Sequence, residues 1–486
     1  MPFVRLALLL FVAFPAVAQI QTEAGSATAD DGSAMPYEIG TLQVPENRAH
    51  AKSRRIGVGF ARVRAAHPTG APPIFLLAGG PGVTMLDIVL DHDAAARRRV
   101  KVWQRYAEVA DLVVIEQRGY TLRGDMMVLR TPALPLDRPG TVADDVALVR
   151  DMARRAAPAY PQADLAGYTI GAMADDVADL AHALGYTKIS LLAASFGSQW
   201  GLAVMKSHPG LVARAVMSST EPLDRGYDMP SEVYAVYQRI AWEADRDPAL
   251  HPWMPPGGLL AAIDATRTRL QNAPVSVVID AEGGGRQTIM LGVEDYQAAL
   301  LSAVQPAEGF PRFVLDVYHQ HYAEWAREAA RERAAGERSL LNPLVNIGLD
   351  MSAERKALLR HDPALPVIGE WNFASYLQTR DEWPTPDAGD AFRQPVQDFT
   401  PILFVQGDWD ASTPMENTLA MLPWFPRARI LVLHRAQHGG TFQWLRGQPA
   451  LAELAYAFLR TGSLEGLPSH ASLDPVVFLP PTATPK

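Results

Sequence analysis

Short, fully apolar runs alternate with stretches of helical period over the first 220 residues. Gly40–Val44 and Ile56–Val63 cluster β-formers between turn residues and predict strands. Pro73–Leu77 is a third apolar run, stopping abruptly at Ala78-Gly79-Gly80-Pro81-Gly82, and Leu112–Ile115 is a fourth, ending at Glu116-Gln117-Arg118-Gly119. Met173, Val177, Leu180, Ala181 and Leu184 share one face of a helix predicted over Ala172–Leu184 and ended by Gly185. Lys188–Ala193 then reads as a strand, Phe196–Ser207 as a helix closed by Pro209, and Val212–Ser218 as a strand. Apolar strands separated by helices in this way predict an α/β fold with a mostly parallel sheet covered on both faces.

The rhythm breaks from Glu221 to Phe399, a segment rich in Trp, Tyr, Arg, Glu and Pro and mostly helical in pattern. It holds one hairpin, Val275–Ile279 with Thr288–Leu291, joined by a glycine-rich turn at Glu282–Arg286 that lacks the following Lys-Ser/Thr of a phosphate cradle. Within it, Trp325–Arg338 reads as a helix with a solvated Glu/Arg face. The sheet resumes at Pro401–Gln406 and Arg429–Leu433, and a final helix is expected through Phe442–Leu459. Residues 19–35 read as a flexible lead-in and Thr461–Lys486 as a surface extension. The expected organisation is a core in two parts, 19–220 and 400–461, interrupted by a helical insertion over 221–399 and followed by a tail over 462–486.

Composition narrows the function classes. The chain has 486 residues, no cysteine and a formal charge of −9, which excludes thiol catalysis and Cys-ligated metal centres. No basic block stands out, so no nucleic-acid partner is expected. Arg5, the apolar run Leu6–Val17 and the small residues Ala16-Val17-Ala18 have the form of a signal peptide cut after Ala18. That run is too short to span a bilayer, so the expectation is a periplasmic or secreted protein with no stable membrane insertion.

The chemistry centres on Ala193-Ala194-Ser195-Phe196-Gly197, between a strand and a helix. A sharp strand-to-helix turn lifts a serine hydroxyl clear of the sheet and demands small neighbours, so Ser195 is the candidate nucleophile. Serine needs a base, and the base an orienting carboxylate, which in this arrangement follow in the order acid, then His. The loop after Pro401–Gln406 offers Asp408 and Asp410, and the loop after the next strand offers His434 and His438. Asp410, which precedes Thr413-Pro414, and His438, followed by two glycines, are the preferred pair. Gly79-Gly80-Pro81-Gly82 at a strand end can turn backbone N–H groups toward a developing oxyanion, with donors expected from Gly80 and Phe196. Asp91-His92-Asp93 and His319-Gln320-His321 hold metal-type residues, but the second pair, placed on a helix, would point apart. No metal or other cofactor is called for.

Taken together, Gly79-Gly80-Pro81-Gly82, Glu116-Gln117-Arg118-Gly119, Ala193-Ala194-Ser195-Phe196-Gly197, Gly407-Asp408-Trp409-Asp410-Ala411-Ser412-Thr413-Pro414 and His438-Gly439 resemble the prolyl/tripeptidyl aminopeptidase family of serine exopeptidases. The resemblance runs from about Gly40 to Leu459 and points to the exported tripeptidyl-aminopeptidase-like branch. It implies an α/β-hydrolase fold with a large, mostly helical cap and a short-peptide substrate; an esterase of small non-peptide substrates is the alternative on the same triad. The chain departs from the family at Ala78 (usually His), Glu116 (usually Asp), Thr121 and Arg123 (usually Gly and Ser) and Ala193 (usually Gly). The resemblance further implies acidic residues that receive the substrate's α-ammonium, for which Glu370 and Glu221 are the candidates.

Overall fold

The computed structural model describes residues 20–281 and 284–482, so the expected signal peptide lies outside the described residues, as do two residues of the 275–291 hairpin turn. A ten-stranded sheet forms the centre. Its order is 20–28, 34–45, 55–63, 112–115, 74–77, 189–195, 212–220, 402–407, 428–434 and 470–472. The first four strands pair antiparallel and every later pairing is parallel. Strands Leu112–Ile115 and Ile402–Gly407 are buried along their whole length. That is why they read as unbroken apolar runs rather than alternating ones.

Helices cover both faces. One layer, including Ile170–Ala183 and Phe196–Ser207, packs on Phe75, Leu191, Met217 and Phe404. The other, including Ala94–Ala107 and Pro449–Thr461, packs on Ile74, Leu192, Val216 and Val405. Helix Val142–Ala159 opens on a reciprocal cap in which the Thr141 side chain accepts from Asp144 N and the Asp144 carboxylate accepts from Thr141 N. Residues 221–399 are largely helical, and the hairpin is present as Val275–Asp280 with Arg286–Leu291. Their apolar interior is continuous with Trp409, Ala411 and Phe478 of the core side.

Four expectations are corrected. Residues 20–28 are an edge strand paired with 34–45 in continuous register from Ile20↔Leu42 to Thr28↔Ala34, not a lead-in. Their small polar composition hides a strand held by backbone pairing, with Ala27 its one fully buried side chain. The final helix is two pieces, Thr441–Trp444 and Pro449–Thr461, because Pro449 lacks an N–H and forces Gln448 out of helical geometry. The tail adds strand His470–Ser472 to the sheet and buries Phe478, which stacks on Trp409 at 6.4 Å. Trp325–Arg338 divides into a helix, Ala323–Glu332, whose Trp325 is buried, and a strand, Gly336–Ser339, paired with Val128–Thr131.

Candidate active site

Ser195 ends strand 189–195 and precedes helix 196–207 with φ 57° and ψ −137°, a left-handed conformation costly for a residue with a Cβ. The turn tolerates only glycine two residues later, since a Cβ at Gly197 would lie 2.2 Å from the Leu77 carbonyl oxygen. This packing fixes where the hydroxyl stands.

The Gly79–Gly82 loop lies beside it. A Cβ at Gly79 would sit 3.3 Å from the Ser195 Cβ. The Gln117 amide clasps the loop from below: Nε2 donates to the Gly79 carbonyl at 2.8 Å and Oε1 accepts from Gly82 N at 2.7 Å. Glu116, fully buried, accepts from Leu122 N and from the hydroxyls of Thr84 and Thr121. The Glu116-Gln117-Arg118 run therefore shapes the glycine loop, and buried Arg118 ties it to Asp176 through two hydrogen bonds.

Asp410 and His438 come together. Both Asp410 oxygens lie 3.1 Å from His438 Nδ1. The carboxylate is wholly buried and accepts four further hydrogen bonds, from Ser412 N, Thr413 N, Thr413 Oγ1 and Ser219 Oγ. A carboxylate so furnished is held in one orientation. Burial lowers the His438 pKa, but the Asp410 hydrogen bond and charge, with Glu221 and Asp228 beyond, raise it above the ordinary 6.5 overall.

Asp408 and His434, the alternatives in the same two loops, form a second pair at 2.8 Å. His434 Nε2 faces Glu243 of helix 230–244 at 2.9 Å, which turns this pair toward the helical segment.

Ser219 was not legible as a site residue. It is fully buried with φ 47°, donates to Asp410 Oδ2 at 2.6 Å and accepts from Gly439 N at 3.1 Å. It thus joins the acid to the histidine loop. A buried serine near the end of strand 212–220 carries no sequence signal of its own.

Glu221 lies against the serine: Ser195 Oγ donates to its Oε1 at 3.3 Å. Burial, with Asp228 and Asp410 adding repulsion, pushes its carboxyl up to about 8. Asp228 is pushed up to about 7, again chiefly by burial. Both line a cavity of about 230 Å³ that also takes in Gly80, Asn342, Asn372 and Tyr376. Glu370 is elsewhere: it is exposed and lines a different cavity with Val142, Arg267 and Gln297. The turn at Gly369 directs it away, and Asp228 stands in the cavity where the sequence pointed to Glu370.

Among the described residues no cluster of three metal-type ligands occurs. His319 follows the end of helix 310–318 instead of lying on it, and its Nε2 meets the Trp253 carbonyl at 2.8 Å. No described helix is long and apolar enough to cross a membrane.

Residues 360–469 match the family model described as TAP-like protein. No curated protein matches the sequence. Among solved structures, the chain is similar to a thermophilic esterase from Thermogutta terrifontis (14% identity over 86% of this chain and 98% of that one, TM-score 0.35). It is also similar to a proline iminopeptidase-related protein from Thermus thermophilus (17% identity, 90% and 97% covered, TM-score 0.34). A meta-cleavage product hydrolase from Pseudomonas fluorescens is a third (12% identity, 84% and 96% covered, TM-score 0.34). The stretch bearing Asp410 and His438 thus carries the TAP-like pattern, on a chain whose sheet order and strained serine turn are those of the α/β-hydrolase fold.

Proposed function

We propose that the chain is an exported serine hydrolase that releases short pieces from the free N-termini of peptides. The observation carrying this reading is the Ser195–Glu221 contact at 3.3 Å: an acidic group stands within hydrogen-bond reach of the candidate nucleophile. In the proposed reaction His438 takes the Ser195 proton as the hydroxyl attacks the scissile carbonyl. Asp410 holds the imidazole and stabilises its charged form. Backbone N–H groups of Gly80 and Phe196 receive the oxyanion. His438 then gives its proton to the leaving amine, and water hydrolyses the acyl-enzyme by the same steps in reverse order.

Glu221 and Asp228 supply the preference for a free amine. With carboxyls raised to about 8 and about 7, they hold protons near neutrality and release them to solvent as a substrate ammonium arrives, whose charge the resulting carboxylates pair in a site shielded from water. A blocked N-terminus offers no such exchange. The export reading is supported by the N-terminal Arg5, Leu6–Val17 and Ala16-Val17-Ala18 pattern. N-terminal sequencing of protein from a periplasmic fraction tests it, with Gln19 expected first.

Chromogenic amides with free and acetylated N-termini, assayed beside short-chain esters, test the activity. Free amides are expected to be preferred by about 100-fold or more, the worth of a desolvated charge pair. Equal cleavage of free and blocked amides, or cleavage of esters alone, overturns the aminopeptidase reading and leaves the esterase.

A further inference from the structure

The segment Glu221–Asp228 is a wall with a cavity on each side. On one side Glu221 and Arg225–Asp228 face the candidate active site. On the other, Pro222–Arg225 close a second cavity of about 290 Å³, at the lower end of volumes that hold small molecules. Part of its wall is apolar, formed by Leu202, Met205, Leu223, Met421, Trp424 and Phe425, and part is charged or polar. Leu358 and Val396 stand at its border, 58% and 52% exposed.

One polar group inside is unmatched. Arg355 is 8% exposed, yet its Nε has no hydrogen-bond partner among the described residues. Its Nη2 donates to the Tyr227 carbonyl at 3.3 Å and reaches Glu232 only at 3.8 Å, because Arg225 holds the other oxygen of that carboxylate at 2.8 Å. Burial and the neighbouring Arg225 charge both press the Arg355 pKa downward. Of the other charged groups of the lining, Glu354 is exposed, Lys206 donates to the Ala391 and Gln394 carbonyls, and Asp398 accepts from Thr400 N. Asp224 accepts from Ser352 N and Oγ, and Arg393 is held by Asp387, Asp390 and the Leu349 carbonyl. A buried guanidinium with an unpartnered N–H beside an apolar wall calls for an anion on an apolar stem.

We propose that this cavity is a second ligand site that takes a small apolar carboxylate, with its anion on Arg355 and its stem against Leu223, Met421 and Phe425. The proposal does not depend on which reaction Ser195 performs. A ligand here also touches the far side of the segment that presents Glu221.

Calorimetry with phenylbutyrate, phenylbutanol and phenylbutylamine tests it, on protein whose Ser195 has been blocked by a fluorophosphonate so that the active site takes no part. Phenylbutyrate is expected to bind at millimolar concentration or below, and the alcohol and amine about tenfold more weakly or worse, the worth of one charged hydrogen bond. Arg355→Gln is expected to remove that discrimination. Leu358→Glu, an exposed change that leaves the fold intact, is expected to weaken phenylbutyrate by a similar factor through repulsion at the border. Equal binding of acid and alcohol, no binding of the acid at millimolar concentration, or unaltered binding in Leu358→Glu overturns the proposal.

Discussion

Two Asp–His pairs occupy the same two loops, and their surroundings divide them. Asp410–His438 has a fully buried carboxylate with four other donors, and its imidazole lies within electrostatic reach of Glu221, the carboxyl that Ser195 meets. Asp408–His434 is shorter, at 2.8 Å against 3.1 Å, yet its second nitrogen is taken by Glu243. A base needs one nitrogen oriented and the other free for the nucleophile. His434 has both nitrogens spent, so the closer contact belongs to the pair less fit for proton transfer. Its fitness is for joining: Glu243 and Arg239 of helix 230–244 meet Asp408, His434 and Arg435 there, which pins the helical segment to the acid loop.

The largest effect separates the two histidines. His438→Ala is expected to lower kcat by about 10⁴-fold or more, whereas His434→Ala keeps kcat within about tenfold and lowers stability by about 1 kcal/mol. Parallel rate and urea-unfolding measurements read both, and a collapse of kcat in a folded His434→Ala protein would reverse the assignment. Asp410→Asn and Asp408→Asn repeat the contrast at the carboxylates, with about 10⁴-fold expected for the first and under tenfold for the second.

Ser219 tests what the buried pair owes to its surroundings. Ser219→Ala removes a donor to Asp410 and the acceptor for Gly439 N, and is expected to lower kcat about 10- to 100-fold with KM unchanged. Ser219→Gly relieves the φ of 47° and is expected to lose kcat equally while losing less stability. Equal stabilities in the two variants would show that the strain is not stored there.

Two pH effects are smaller. In the proposed role as base His438 must be neutral, and its pKa is raised, so kcat/KM is expected to fall with acidity through a value above 6.5. Glu221 is an acid raised by burial from 4.5 to about 8, so its neutral form stabilises the fold at low pH, and that contribution is lost as pH climbs between those values. Glu221→Gln should therefore raise Tm at pH 8 and leave it unchanged below pH 4.5. Identical shifts at both values would place the carboxyl in water.

What was legible in the sequence follows from how each feature is encoded. Leu112–Ile115 and Phe196–Ser207 have the bounds their apolar runs and helical period predict, because local pattern and tertiary burial agree there. The strand at 20–28 carries no apolar period, and its partner lies across a turn, so only the backbone register reveals it. Asp410 and His438 stand out by their order after Ser195 and, against Asp408 and His434, by Thr413-Pro414 and the two glycines beside them; Glu243, far away in sequence, adds the physical ground by occupying His434. Glu370 and Asp228 show the same limit: both are acids of the 221–399 stretch, and only chain direction through Gly369 and Met229 sorts exposed from enclosed.

The stacking of Phe478 on Trp409 makes the two ends of the described chain unequal as points of attachment. A fusion partner or affinity handle placed before Ile20 hangs from the outermost strand, at the edge of the sheet remote from the acid loop. One placed just after Phe478 pulls on a ring packed against the residue between Asp408 and Asp410, and so on the alignment of the buried carboxylate. Immobilisation through the first end leaves that alignment undisturbed.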